Sequence, residues 1–166
     1  MSDKYCTLLF LIKDDSVLLA MKKRGFGANR YNGVGGKIEP DETIEEALVR
    51  EAQEEIEVTP TKFKKVAEHD FLMDRDTKKP WHMYVHAFVA TEWQGEPTET
   101  EEMAPQWFKR TEIPYDNMWQ DDTYWLPQVL AGQLILASYE FNADETMASH
   151  NIMVVDKMPQ GVPWHA

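Results

Sequence analysis

Residues 35–58 read GGKIEPDETIEEALVREAQEEIEV, with eight glutamates and one aspartate in this stretch. From Thr43 to Ile56 the apolar residues Ile44, Ala47, Leu48 and Ala52 recur at helical spacing, which predicts a helix entered from a glycine-rich loop. Glu42 and Glu46 lie one turn apart, as do Glu51 and Glu55. Each such like-charge pair costs about 0.2–0.5 kcal/mol in an isolated helix. At about 100° per residue, with Glu51 at zero, Glu55 falls at about 40°, Glu54 at about 300°, Ile44 at about 20°, Ala47 at about 320° and Leu48 at about 60°. Glu51, Glu54 and Glu55 therefore share an arc with the apolar residues of the preceding turns, while Glu42 and Glu46 lie opposite. Carboxylates packed toward a core without counter-charge are very costly, so a cation is expected among them. A cluster of hard oxygen ligands suits Mg²⁺ or Mn²⁺, which bridge protein carboxylates to phosphates. A calcium loop is excluded, because these ligands lie on a helix rather than at alternate loop positions. The competing account is an acidic helix held by Arg50 and nearby lysines.

Working outward, YCTLLFLI (residues 5–12) and VLLAM (17–21) read as strands joined by the turn KDDS. The loop RGFGANRYNGVGGKIEPDE carries five glycines, suited to positive φ or to close approach of a ligand. KFKKVAEHDFLMD and PWHMYVHAFVATEW are predicted strands around the turn RDTKK, and PQWFKRTEI is a shorter one. DDTYWLPQVLAGQ predicts a second helix, capped by Asp121 or Asp122 and kinked or restarted at Pro127. LILASYEF and HNIMVVDK close the chain as strands. Few helices separated by groups of strands predict an α+β fold, a mixed β-sheet between helices. Residues 1–157 are expected to form a single domain, and residues 158–166 a C-terminal tail.

A chain of 166 residues with 43% hydrophobic content is long enough for one domain with a sizeable core. The net charge of −12 argues against nucleic-acid polymers and anionic membranes as partners. It leaves a small nucleotide open, since local cations or a bound metal offset the global field. The single cysteine, Cys6, excludes an intrachain disulfide and cysteine-based zinc sites, and its apolar run marks it as a buried structural thiol. That run is too short to span a membrane and lacks a signal-peptide pattern, so a cytoplasmic location is expected.

Gly36, then Glu42 six residues on, then Arg50-Glu51-Ala52-Gln53-Glu54-Glu55 and an apolar Val58 resemble the Nudix box. Ala52 is smaller than the usual aliphatic residue. Glu57 replaces the glycine that ends the helix in a left-handed cap, at an expected cost of about 1 kcal/mol. The resemblance implies a Nudix-type α/β/α sandwich that hydrolyses a nucleoside diphosphate linked to some group X. It also implies Mg²⁺, with Mn²⁺ as a substitute. Carried over by position, Glu51, Glu54 and Glu55 hold metal with help from the Gly36 carbonyl, and Glu54 or Glu55 also orients or deprotonates water. Arg50 holds the glutamates in place, with Glu42 as its partner. A further acid from outside the box is Glu102, in ETEEMAPQWF, with Glu99 and Glu101 as near rivals.

MKKRGFGANRYNGVGGK before the box and EEMAPQWF and MWQDDTYWLP after it are similar to the oxidised-purine nucleoside triphosphatases of this family. The likeness runs from Thr7 to about Phe141. It implies that 8-oxo-dGTP or a related nucleotide is cleaved to the monophosphate and pyrophosphate, sanitising the nucleotide pool. A purine needs aromatic faces and edge-on hydrogen bonds. Trp119, Phe26 and Phe71 supply faces or are core. Asn32 supplies a donor and an acceptor, or a turn before Gly33. Asp121 and Asp122, one of them protonated, read the base edge or merely cap a helix. Lys22, Lys23 and Arg24 contact phosphate or are solvated, while Thr7 and Met83 follow by matching position only. His69, His82 and His86, in strand-like stretches, are expected to be structural. Tyr31 replaces a tryptophan usual in these proteins, Gln120 replaces a proline, and the turn MDRDTKKPWH differs. All three bear on substrate choice rather than reaction type. The alternatives are hydrolysis of another nucleotide (an ordinary NTP, ADP-ribose or a dinucleoside polyphosphate) and a non-catalytic nucleotide-binding module. A monomer or weak homodimer is expected.

Overall fold

Strand and helix periods follow one another along the chain as the sequence patterns indicate. The computed structural model describes residues 2–159. In order, it contains β1 (Lys4–Lys13), β2 (Ser16–Lys22), β3 (Tyr31–Asn32), α1 (Ile44–Ile56), β4 (Thr59–Met73), β5 (Trp81–Gln94), β6 (Met103–Lys109), α2 (Asp122–Leu130), β7 (Leu134–Phe141) and β8 (Met147–Val155). Hydrogen bonding orders the strands β3-β2-β1-β5-β4-β7-β8, with β6 also paired to β2. β4 and β7 run parallel, whereas β1/β2, β2/β3, β2/β6 and β7/β8 are antiparallel. This is the mixed sheet with two helices expected for the α+β class. The two-residue β3 is too short to leave a sequence pattern; it is defined by its pairing with Ala20 and Met21.

Two compact units are distinguished. The first comprises Thr7–Lys64 and Phe88–Trp119, and the second comprises residues 2–6, 65–87 and 120–159. Strands β1, β4 and β5 have residues in both. In the first unit, Leu9 and Leu11 of β1, Leu18 and Ala20 of β2, and Phe88 and Ala90 of β5 alternate along their strands. They form one buried cluster with Leu48, Ala52 and Ile56 of α1. Thr43 starts α1 with a capping box: its side chain accepts from the Glu46 N–H and the Glu46 carboxylate accepts from the Thr43 N–H. Glu46 is thus committed to the helix start. At the other end Glu57 sits at φ 61°, ψ 36°, in the left-handed cap that the missing glycine implies.

In the second unit, Trp125, Leu126, Val129 and Leu130 of α2 and Ile135, Tyr139 and Phe141 of β7 are buried. The helix is continuous through Pro127, so it is not restarted there. The burial of its neighbours outweighs the one hydrogen bond that proline cannot donate. Asp121 precedes α2 but has helical dihedrals, φ −69° and ψ −28°, and makes no side-chain cap bond. Its carboxylate is used elsewhere. The turn after β4 is tied to the β7–β8 connection: Arg75 N–H donates to the Phe141 carbonyl at 3.0 Å, and Ala143 N–H to Asp76 Oδ1 at 2.9 Å. Cys6 is half-buried rather than buried. Of the proposed tail, residues 160–166 lie outside the described residues. Among the described residues no helix is long and apolar enough to cross a membrane.

Candidate active site

The fork of Arg50 organises the acidic helix. Its Nε donates to Glu42 Oε2 at 2.6 Å and its Nη2 to Glu42 Oε1 at 2.8 Å, a bidentate pair. Nη1 donates to Glu51 at 2.8 Å and to Glu54 at 3.3 Å, and Nη2 also reaches the Lys37 carbonyl at 3.0 Å. The Arg50 guanidinium holds the Glu42 carboxyl well below the ordinary range, at about 2. The expected Arg50–Glu42 partnership is therefore present, across the loop that enters α1.

The three helix carboxylates differ in depth. The Glu55 residue is 3% exposed, and the Glu51 and Glu54 side chains are 14% and 57% exposed. The expectation that all three share the core-facing side needs this correction. The buried arc continues to Ala52 and Ile56, at about 100° and 140° on the same wheel. From Ala47 at about 320° to Ile56 at about 140°, Glu55 then lies near the middle of the arc, Glu51 nearer its edge and Glu54 outside it. Glu55 Oε1 accepts from the Gly35 N–H at 2.7 Å. Burial pushes its carboxyl up to about 8; the Gly35 N–H opposes this, and the charges of Glu51 and Glu102 add to it. Burial likewise raises Glu51, against the pull of Arg50.

The box glycine has a steric cause. A Cβ on Gly36 would lie 2.6 Å from the Glu51 carboxylate carbon, and one on Gly35 only 1.9 Å from the Thr7 carbonyl oxygen. Only glycine lets the loop backbone approach this closely. The Gly36 carbonyl already accepts from the Thr7 N–H at 2.9 Å, which leaves it one further lone pair. Opposite charges also bring in the segment before β6. Lys23 Nζ contacts Glu99 at 2.5 Å and the Thr100 carbonyl at 2.7 Å, and Arg24 lies 3.7 Å from Glu102. Glu99 is thus engaged by Lys23, whereas the charge of Glu102 bears on Glu51 and Glu55. Lys22 acts on Glu55 with the opposite sign.

The oxygen-only donor set suits a hard divalent cation. Glu55 is the observation that favours it: a carboxyl raised first by burial and further by the charges of Glu51 and Glu102 is the group whose charge a cation would offset. Among the described residues, no three His, Cys, Asp or Glu side chains form a ready-made cage. Glu51 and Glu54 are drawn onto Arg50 instead.

The residues considered for base recognition divide between the units. In the first, Phe26 and Trp119 pack with ring centroids 5.2 Å apart, and the Arg30 guanidinium lies 4.1 Å from the Trp119 ring. Phe26 is 42% exposed, which answers against a core role. Asn32 Oδ1 accepts from the Gly33 N–H at 2.8 Å, the local turn contact, and Thr7 is buried. Tyr31, the departure from tryptophan, donates to Gln106 Oε1 at 3.1 Å and meets Phe108 edge-on.

In the second unit, Asp121 and Asp122 are both buried. Asp121 Oδ2 accepts from Trp125 Nε1 at 2.9 Å, and burial pushes the Asp121 carboxyl up to about 6, against the pull of that bond. Phe71, half-buried, stacks on Tyr139 at 4.6 Å, and Met83 is half-buried on β5. Gln120, where a proline is usual, accepts from the Met147 N–H at 2.6 Å and so fixes the start of β8. His82 pairs with Asp70 at 2.6 Å, and His86 is buried 3.9 Å from Glu68. Sequence reasoning missed Trp125 as the partner of Asp121, although their spacing of four within a predicted helix was the available signal.

A family model described as the NUDIX domain matches residues 5–129. The chain is 41% identical over 150 residues to the oxidized purine nucleoside triphosphate hydrolase of Mus musculus, covering 90% of this chain and 94% of that protein. It is 38% identical over 157 residues to the protein of the same name from Danio rerio, covering 95% and 99%. Among solved structures, the MutT protein of Bacillus halodurans matches with a TM-score of 0.81 at 25% identity, over 94% of this chain and 99% of that one. The fold is thus the Nudix type of α/β/α sandwich, whose hydrolases generally use a divalent metal. With the glutamates and arginine of its box in place, the chain belongs to the Nudix family of hydrolases.

Proposed function

We propose that the chain hydrolyses oxidised purine nucleoside triphosphates such as 8-oxo-dGTP, releasing the monophosphate and pyrophosphate and clearing damaged nucleotides from the precursor pool. The observation that carries the reaction is the carboxylate array of Glu51 and Glu54, gathered by Arg50, and Glu55, held on the Gly35 N–H of a loop that only glycine can form. The names of the mouse and zebrafish relatives support the substrate class.

In this reading Glu51, Glu54, Glu55 and the Gly36 carbonyl, with Glu102 contributing, would hold Mg²⁺ or, as a substitute, Mn²⁺. When bound, Mg²⁺ neutralises polyphosphate charge and lowers the pKa of the attacking water. Glu54 or Glu55 orients that water and takes its proton. An O–P bond forms, the bridging P–O bond breaks, and its electron pair leaves on the bridging oxygen. Arg50 positions Glu51 and Glu54 and is itself fixed by Glu42. Lys22 attracts phosphate oxygens. In the first unit Phe26 and Trp119 offer aromatic faces and Thr7 and Asn32 polar groups to the nucleotide; in the second, Phe71 offers an aromatic face and Met83 an apolar one.

Asp121 and Asp122 read the base edge. Burial raises the Asp121 carboxyl to about 6, so its protonated form is within reach below neutral pH, and a protonated member donates where its neighbour accepts. More than one oxidised purine is accommodated in this way. Residues 1–157 act as one domain; the family match across both units and the strands common to them support this. We expect a monomer or weak homodimer working on soluble nucleotides in the cytoplasm, with no nucleic-acid polymer or membrane as partner.

The test is kcat/KM with Mg²⁺ for 8-oxo-dGTP, 2-oxo-dATP, dGTP, dATP and ADP-ribose, with products identified. The expected result is a preference above about tenfold for an oxidised purine, roughly 1.4 kcal/mol in the transition state, with pyrophosphate released. Equal turnover of ordinary nucleotides would discard the damage-specific role and keep the hydrolase. Glu54→Gln with Glu55→Gln should abolish turnover while binding survives. Asp121→Asn and Asp122→Asn should each alter the order of preference among purines.

A further inference from the structure

His69 on β4 is 1% exposed and lies among the aromatic side chains of the second unit. Its ring centroid lies 4.3 Å from Trp125, 5.7 Å from Phe71 and 5.6 Å from Tyr139. Nδ1 is hydrogen-bonded to Tyr139 Oη at 3.0 Å, while Nε2, equally buried, has no hydrogen-bond partner among the described residues. Burial lowers the imidazole to about 3, so it is neutral at physiological pH. A buried polar atom without a partner is costly, and its retention calls for a cause.

The surroundings of His69 narrow that cause. Trp125, against which the imidazole packs, donates to Asp121. Burial first, and then the charges of Asp121 and Asp122, hold the Tyr139 hydroxyl far above its ordinary value. Of the three rings around His69, Trp125 is thus hydrogen-bonded to Asp121 and Tyr139 feels the charge of both aspartates. A phenol O–H is a better donor than acceptor, so Tyr139 donating to Nδ1 fixes the tautomer with hydrogen on Nε2. The unused atom is then a donor, in a layer whose two carboxylates act mainly as acceptors.

We infer that His69, oriented by Tyr139, is a specificity-determining residue, its Nε2–H donating to the added oxygen of the oxidised purine directly or through one water. This rests on the base-reading role given to Asp121 and Asp122 above. A purine lacking the added oxygen leaves Nε2–H unsatisfied, which is the asymmetry that produces discrimination.

The experiment compares the ratio of kcat/KM for 8-oxo-dGTP to that for dGTP in wild type, His69→Leu, His69→Gln and Tyr139→Phe. Thermal midpoints are measured alongside. The ratio should fall about tenfold in His69→Leu, through a higher KM for 8-oxo-dGTP, while the midpoint reflects two opposing changes, the orphaned Nε2 removed and the buried Tyr139 hydroxyl left without its partner. Glutamine carries a donor at similar reach and should restore most of the ratio. Tyr139→Phe should lower it in the same sense. A ratio in His69→Leu within twofold of wild type overturns the inference and leaves the proposed function standing. Should His69→Leu fail to fold, an unchanged ratio in Tyr139→Phe overturns it. A wild-type ratio near one removes both readings together.

Discussion

Replacing Glu42 with glutamine isolates the contact that holds Arg50. Glutamine keeps the shape but offers one acceptor in place of two charged ones, so the bidentate geometry at 2.6 and 2.8 Å cannot persist. A carboxyl drawn from 4.5 to about 2 corresponds to at most about 3 kcal/mol of stability at neutral pH. Both partners keep some exposure, 13% for Glu42 and 29% for Arg50, so solvent screening reduces the expected loss to about 1–2 kcal/mol. For a chain of this length that is a fall in Tm of about 2–8 °C. The sign with pH is fixed by the lowered value. The stabilisation is present above about pH 4.5 and is lost as pH falls through about 2, so wild type and Glu42→Gln should converge in acid. Urea unfolding at pH 7 and thermal unfolding from pH 2 to 7 provide the measurement. Equal midpoints at pH 7, or a difference that does not shrink in acid, would refute the reasoning. Loss of Glu42 also frees the guanidinium to bind Glu51 and Glu54 more tightly, so kcat/KM should fall and the Mg²⁺ requirement should rise.

Glu57→Gly should stabilise the protein by about 1 kcal/mol, raising Tm by about 2–4 °C, because Glu57 holds φ 61° at the end of α1. Denaturant unfolding with unchanged activity checks this. Gly36→Ala should lower kcat/KM by about 10–100-fold and raise the Mg²⁺ concentration for half-activity, since the new methyl meets the Glu51 carboxylate at 2.6 Å. Metal titration of activity reads it. The Asp121 carboxyl, raised from 3.8 to about 6, contributes stability that is full below pH 3.8 and is lost as pH rises through 6. Wild type should therefore lose stability relative to Asp121→Asn between pH 4 and 8; a difference flat with pH, read by thermal unfolding, would count against it.

The acidic helix was legible because its information is local. A period of 3.6 residues places Ile44, Leu48 and Ala52 on one side, and a left-handed end was implied by the missing glycine at 57. The box spacing named the carboxylates and Arg50 before any contact was visible. Spacing could not grade them. That Glu55 is buried and Glu54 exposed depends on how far the core arc extends around α1, which is set by the strands packed against it.

By itself the sequence determined the order of the helices and of the strands other than β3, the left-handed end of α1 and the residues of the box. Each follows from a run of neighbouring residues and its period. The tertiary structure decided which partner each side chain meets: Asp121 with Trp125 rather than the helix end, His69 with Tyr139, and Gln120 with the start of β8. His69 and Tyr139 are brought together by the parallel register of β4 and β7, where Ala67 pairs with Ile135 and Phe71 with Tyr139. A slip of one residue would turn every side chain to the opposite face. Register between strands so distant in the chain is fixed by burial of the whole sheet, and no local stretch encodes it.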